Sequence, residues 1–283
     1  MKKILLLLLL TMALIGCQPK EEATLIIGGI PDQNTSTLTE RFDELAKYIE
    51  EETGIKTKYV PSTDYAALVT GFSREEVHLG WFGGLTGVQA RSAVEGSEAI
   101  AHRPRDAKFE SVFIYNTANE IESLDDLKGK SFTFGSESST SGHLMPRFFL
   151  MEANLNPEDA FSDVPNYSGS HDKTWKLVES GTYDAGALNI AVWESAVDEG
   201  KVDTDKVKVF YTTPTYFDYN WSITDVDKTF GEGSKEKIQA ALLSFGDDNP
   251  EIMDLFQDDS FVETNNANYQ AILDVAKSLK IIE

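Results

Sequence analysis

Short β-branched runs alternate with longer amphipathic runs over the first hundred residues of the chain. Thr24-Leu-Ile-Ile-Gly28 reads as an opening strand. Leu38 to Glu51 then places Leu38, Phe42, Leu45, Ala46 and Ile49 on one helical face, and Gly54 ends the helix. Lys56 to Val60 is a second strand, closed by Pro61. Thr63 and Asp64 are good N-caps, so a helix is predicted from there to Phe72 with Tyr65 in its first turn. Val77 to Trp81 is a third strand that runs into Phe82-Gly83-Gly84, and Thr86-Gly87 opens a helix carrying Val88 to Val94. Strand–helix alternation with short loops predicts α/β layers and a mainly parallel sheet. Ligands of such sheets sit beyond the carboxyl ends of the strands, which singles out the loops 62–65 and 81–86.

The pattern continues with a strand at Ser111 to Tyr115, a short helix and turn from Leu124 to Gly129, and a strand at Ser131 to Gly135. Next comes Ser136-Glu137-Ser138-Ser139-Thr140-Ser141-Gly142-His143, followed by the apolar run Leu144 to Met151. A strand, a hydroxyl-rich turn and a helix start make an anion site, because the first N–H groups of a helix have no intrahelical partner and the helix dipole adds positive charge there. Ser and Thr are equally favoured as plain caps, which is the bland reading of the same residues. Pro146 has no N–H to donate, so the regular helix is expected to start late and leave 139–145 as a binding turn. A second polar turn, Asn166 to Asp172, precedes a helix from Lys173 to Ser180. Strands follow at Tyr183 to Ala187 and Val207 to Tyr211, then the aromatic and polar stretch Thr215 to Trp221, and C-terminal helices at 235–245, 250–256 and 269–279.

Composition changes the picture at the N-terminus. Lys2-Lys3, the apolar run Ile4 to Leu10 and Leu14-Ile15-Gly16-Cys17 read as a lipoprotein signal peptide over residues 1–16, with Cys17, the only cysteine, as the lipidated residue. Residues 17–23 would be a lipidated tether, and the protein would be extracytoplasmic and anchored to the membrane. Cleavage removes two lysines and takes the formal charge from −22 to −24. Such a balance argues against nucleic acid or anionic lipid as a partner. An anionic ligand would meet long-range repulsion, so its site must rely on short-range, oriented donors.

The chain has no Gly-x-Ser-x-Gly elbow, no Walker loop and no His-Glu-x-x-His, and its four histidines have no metal-ligand spacing. No metal or cofactor is expected. His78 reads as structural; His143 and His171 each end a Ser/Gly turn and read as ligand contacts. A secreted enzyme built on Ser141 and His171 has no sequential support. The polar turns at 63–65, 82–84, 139–142 and 168–171 share another chemistry: hydroxyls, glycines and helix-start N–H groups with no Lys or Arg. Neutral donors in that arrangement hold a small oxyanion.

With Asp64-Tyr65-Ala66-Ala67, Trp81-Phe82-Gly83, Ser139-Thr140-Ser141-Gly142 and Gly169-Ser170-His171, the chain resembles type II periplasmic binding proteins of the phosphate/phosphite/phosphonate ABC importers. Ile30 to Gln33, Trp81 to Arg91 and Phe134 to Gly142 are similar to a branch assigned to selenate. The resemblance implies two α/β lobes, each a mixed, mainly parallel sheet flanked by helices, with 24–112 and 215–283 in lobe one and 113–214 in lobe two. It implies a monomer that works with an ABC permease and ATPase. Tyr65, Phe82 and Gly83 would face the ligand from lobe one, and Ser139, Thr140, Ser141 and His171 from lobe two. Asp218 lies where phosphonate-binding relatives place an acid, while Phe82 stands where they often carry Tyr. A carboxylate against an anion needs a proton between them, so contact by Asp218 would favour phosphorus oxyanions over selenate or sulfate. A ligand-sensing lipoprotein feeding a membrane receptor would have the same fold and site.

Overall fold

Two β-sheets, each covered by helices, make up the described part of the computed structural model, residues 23–282. The expected signal peptide and lipidated Cys17 lie outside the described residues. The first sheet contains β1 (Leu25–Gly29), β2 (Thr57–Tyr59), β3 (Leu79–Phe82), β4 (Glu98–His102), β10 (Asn220–Ile223) and β11 (Val262–Glu263), in the order β11-β4-β10-β3-β1-β2. The second contains β5 (Ser111–Asn116), β6 (Phe132–Phe134), β7 (Asn166–Tyr167), β8 (Ala185–Asn189) and β9 (Val207–Thr212), in the order β7-β6-β8-β5-β9. The fold is therefore the two-lobed α/β architecture anticipated above. Pairing is parallel where the chain makes βαβ turns, at β1–β2, β1–β3, β6–β7 and β6–β8. It is antiparallel where β5, β9 and β10 enter. β5 and β10 arrive by connections between the sheets, which frees them from the right-handed crossover that makes neighbours parallel, and β9 lies antiparallel beside β5.

The two connections run side by side. Phe109 and Tyr216 exchange backbone hydrogen bonds at 2.8 and 2.9 Å, and the Ser111 N–H reaches the Thr213 hydroxyl at 2.9 Å.

Local sequence explains the helix ends that matter. The Thr35–Thr53 helix is capped by Asn34, whose side chain accepts from the Thr37 N–H, and stopped by Gly54 at φ 71°. Its predicted face is buried: Leu38, Phe42, Leu45, Ala46 and Ile49. The Tyr65–Ser73 helix is capped by the Asp64 carboxylate on the Ala67 N–H at 2.7 Å. Two helices start earlier than their sequences suggest. One runs over Gly84–Ala93 with Gly83 at the cap, and the other begins at His171. Each early start places helix-start N–H groups at the space between the sheets, where they meet acceptors of neighbouring elements.

The first lobe packs on an aromatic core in which Trp81, Trp221, Phe42, Phe256 and Phe261 touch edge-on or tilted. Burial of each such ring is worth roughly 1.5–3 kcal/mol, and together they give a rigid floor beneath the site. Two smaller clusters, around Phe113 and Phe132 and around Trp175 and Trp193, flank the second sheet. No helix among the described residues is long and apolar enough to cross a membrane.

Candidate functional site

The hydroxyl-rich turn lies between the sheets as a single widened helical turn, Thr140–Leu144, leading into the Met145–Glu152 helix. Its wide pitch is closed by the Leu144 N–H on the Ser139 carbonyl at 3.0 Å. Pro146 then falls in the first turn of the regular helix, where no N–H is required of it. The late helix start expected from Pro146 is what the chain adopts. Ser139 caps the turn by accepting from the Gly142 N–H at 2.9 Å. Gly142 has to be glycine: a Cβ there would stand 3.0 Å from His171 Cε1 and 3.1 Å from Gly135 Cα.

Opposite this turn is the start of the Gly84–Ala93 helix. The Leu85 N–H donates to Thr140 Oγ1, and the Gly84 N–H donates to Asp218 Oδ1, both at 2.9 Å. Gly83 is pressed between the same groups, and a Cβ there would lie 3.0 Å from Thr140 Oγ1 and 3.2 Å from Asp218 Oδ1. Asp218 is buried and its Oδ2 has no partner. Burial pushes its carboxyl up to about 7, against the opposing pull of the Gly84 N–H and the Thr140 and Ser141 hydroxyls. At neutral pH this group is poised between acid and carboxylate.

Two more polar atoms in the same cluster are buried without a partner, Tyr65 Oη and His171 Nε2. Burial, reinforced by Asp32 and Asp218, raises the Tyr65 phenol well above its ordinary value, so it stays a donor. His171 Nδ1 accepts from the Asn189 backbone N–H at 3.3 Å, which assigns the ring proton to Nε2. Burial lowers this imidazole to about 4. His171 is therefore a neutral donor over the physiological range. Three orphaned polar atoms, on Tyr65, His171 and Asp218, thus surround the hydroxyls of the 139–141 turn. Buried groups of this kind cost free energy unless a partner meets them, so their convergence makes this the candidate ligand position.

Other expected residues have different roles. The Phe82 ring packs edge-on against Phe72 at 5.3 Å, so it supplies packing while the neighbouring N–H groups supply polarity. His143 is fully engaged: its Nδ1 meets the Glu137 carbonyl at 2.6 Å, and its Nε2 accepts from Arg147 Nε at 2.8 Å. The reading of His143 as a ligand contact is corrected to a structural one. His78 is structural as read, its Nδ1 accepting the Ile26 N–H at 2.9 Å. Trp221 is core. Sequence reasoning missed Asp32, Asn189 and Ser111. Asp32 follows the end of β1, where functional residues of such sheets are found. Ser111 supports the turn by donating to the Ser141 carbonyl at 2.7 Å.

The cavities lie elsewhere: one of about 520 Å³ among Gln33, Trp175, Lys176, Val192, Ala196 and Gln257, and one of about 610 Å³ among Tyr115, Asn119, Glu122 and Lys208. The converging donors, rather than those volumes, identify the site. Among the described residues no cluster of His, Cys, Asp or Glu is arranged to hold a metal ion.

Residues 27–269 match the family model of the phosphonate ABC transporter periplasmic substrate-binding protein. The chain belongs to this family. It is 38% identical over 266 residues to the Prochlorococcus marinus "Probable ABC transporter phosphite binding protein PhnD1", covering 90% of both chains. The structure of that protein in complex with methylphosphonate superposes with a TM-score of 0.87 at 38% identity, over 92% of this chain and 99% of the other. The phosphate-import protein PhnD of Mycolicibacterium smegmatis is 28% identical over 199 residues, 66% of this chain and 62% of that protein. A phosphonate-transporter binding component from Pseudomonas aeruginosa shares the fold with a TM-score of 0.80 at 20% identity, over 90% of this chain and 86% of that one. Family membership makes this an extracytoplasmic solute-binding component of an ABC transporter and not an enzyme.

Proposed function

We propose that this protein captures a small phosphorus oxyanion, phosphite or a short phosphonate, and hands it to an ABC permease driven by its ATPase. The reading rests on one observation: a buried Asp218, poised near neutrality and with one free oxygen, stands among the donors of Tyr65, Thr140, Ser141, His171 and the Gly83–Leu85 turn. Donors alone would suit any oxyanion. A carboxyl in their midst demands one proton shared with the ligand. Phosphite and alkylphosphonates have an exchangeable proton near neutral pH; selenate and sulfate are bare dianions. The likeness to a phosphite-binding protein, and to its methylphosphonate complex, supports the same ligand class.

The remaining expectations belong to this proposal. Ser139, Thr140, Ser141 and His171 act from lobe two (113–214), and Tyr65, Gly83 and Asp218 from lobe one (24–112 and 215–283). The lobes close on the ligand, and lipid on Cys17 holds a monomer at the membrane. Selenate is the competing cargo. Calorimetric titration of residues 21–283 with phosphite, methylphosphonate, phosphate, selenate, sulfate and molybdate tests the assignment. Sub-micromolar binding of phosphite or methylphosphonate, with selenate and sulfate far weaker, is expected. Preference for selenate or sulfate at pH 8 would overturn it. Whether the cargo feeds import or a sensor is decided by uptake of the bound anion in cells lacking this protein.

A further inference from the structure

A line of buried hydrogen bonds joins the two sheets beside the orphaned donors. It starts at Asn189, the last residue of β8, whose Nδ2 donates to the Tyr219 hydroxyl at 2.9 Å. Tyr219, which precedes β10, donates onward to Asp32 Oδ2 at 2.9 Å. Asp32 Oδ1 meets Arg41 Nη2 at 3.4 Å, and Arg41 Nη1 reaches the Leu255 carbonyl at 3.3 Å. The Asp32 backbone carbonyl accepts the His171 N–H at 3.2 Å. Asn189, Tyr219, Asp32 and Arg41 are all 1–2% exposed. The Tyr219 ring stacks on Trp81 at 5.4 Å and meets the Arg103 guanidinium at 4.8 Å.

A tyrosine hydroxyl has one proton. That of Tyr219 is committed to Asp32, and a lone pair is committed to Asn189, so Tyr219 has no donor left for an anion. Asn189 and His171 belong to the five-stranded side, and Asp32, Tyr219 and Arg41 to the six-stranded side. Every link between the two groups exists only when the lobes are together.

We propose that Asn189, Tyr219 and Asp32 form a clasp that holds the closed state through contacts that do not touch the ligand. The clasp deepens the proposed function, since it presumes that the lobes close on a bound anion. It acts on the open–closed equilibrium alone, so its loss lowers affinity for every ligand by one common factor. A residue touching the ligand would instead change the ratios between ligands.

The test compares wild type, Tyr219→Phe, Asn189→Ser and the double variant. Serine keeps a residue favoured at helix starts in place of the Asn189 cap on the Val192 N–H but is too short to reach Tyr219. Affinities for phosphite and methylphosphonate are measured for each, with thermal unfolding as a folding control. Each single variant should lose roughly tenfold for both ligands alike, mainly in the off-rate. The double variant should fall no further than the worse single one, because either change breaks the same line. Unchanged affinity, unequal loss between the two ligands, or additive losses would each overturn the clasp. If wild type binds neither anion, the functional proposal fails on its own. Small-angle scattering of the ligand-free proteins then decides: a more open double variant supports the clasp, and an unchanged envelope refutes it.

Discussion

Replacing Asp218 by asparagine isolates the proton on which ligand choice is argued to depend. The asparagine keeps an oxygen for the Gly84 N–H, now held at 2.9 Å by Asp218 Oδ1, and presents an amide NH₂ where Oδ2 stands without a partner. It has no charge to bury and no proton to exchange. In the wild type, a bare dianion must draw a proton onto Asp218, whose carboxyl burial has raised to about 7. Above that pH its affinity should fall about tenfold per unit, at about 1.36 kcal/mol each, or about a hundredfold over two units. The variant should show no such fall, and its preference for phosphite over sulfate and selenate should shrink. Calorimetric titration of sulfate and methylphosphonate across pH 6 to 9 measures both slopes. The linked stability has a definite sign. The folded-state value lies above the ordinary 3.8, so the stabilisation is complete below 3.8 and is lost as pH rises through about 7. Wild type should therefore lose ground to Asp218→Asn between those limits, by at most about 1.4 kcal/mol per unit. Parallel sulfate slopes in the two proteins would refute the reasoning.

Thr140→Ala with Ser141→Ala should weaken binding at least about a hundredfold, since each lost hydrogen bond to a buried charge costs about 1.5–3 kcal/mol; unchanged calorimetric affinity would remove the turn from the site. His171 should remain neutral with its proton on Nε2 well below its ordinary pH range, because burial lowers it to about 4; nitrogen-15 NMR showing an imidazolium at pH 6 would refute that. Its stabilisation is full above the ordinary 6.5 and is lost as pH falls toward about 4, so acid unfolding should come earlier than in a His171→Gln variant. Gly142→Ala should abolish tight binding, because its Cβ meets Gly135 Cα at 3.1 Å and His171 Cε1 at 3.0 Å, and titration at normal affinity would show that the turn can shift. Association with phosphite should speed up with added salt, since a chain of formal charge −22 repels anions at long range; stopped-flow rates that fall with salt would reveal a positive entrance.

Much of the site was legible because it is local. The cap at Asp64, the break at Pro146 and the hydroxyl turn at 139–141 are each written within a few residues, and each behaves as its chemistry requires. The early starts at Gly84 and His171 were less readable: neither has a side-chain cap hydrogen bond, so no preferred N-cap chemistry marks them. His143 misled because its Ser/Gly setting matches that of His171. The Arg147 guanidinium one turn later, which occupies its Nε2, was the signal available in advance. Antiparallel entry of β5 and β10 depends on passages between sheets that no local pattern records. The Asn189–Tyr219–Asp32 line joins residues 30 and 187 positions apart, and only folding brings them together.

The charges nearest the site explain how so acidic a chain can hold an anion. Arg103 is bound through two nitrogens to Asp106, at 2.8 and 2.6 Å, and Arg41 faces Asp32. Both buried cations are thus balanced by their own carboxylates, and neither contributes a free charge to the ligand position. In the proposed site an anion would meet a set of neutral dipoles: the Thr140, Ser141 and Tyr65 hydroxyls and His171 Nε2–H. Such donors act only in contact, so the proposed function makes closure of the lobes a condition of affinity. Asp218 is then the ionisable group in the cluster without a compensating cation. Its protonation state decides whether the cage presents a net charge of zero or minus one. A cage built from neutral donors and a single exchangeable proton discriminates among anions by how readily they share that proton, a property in which phosphorus and selenium oxyanions differ.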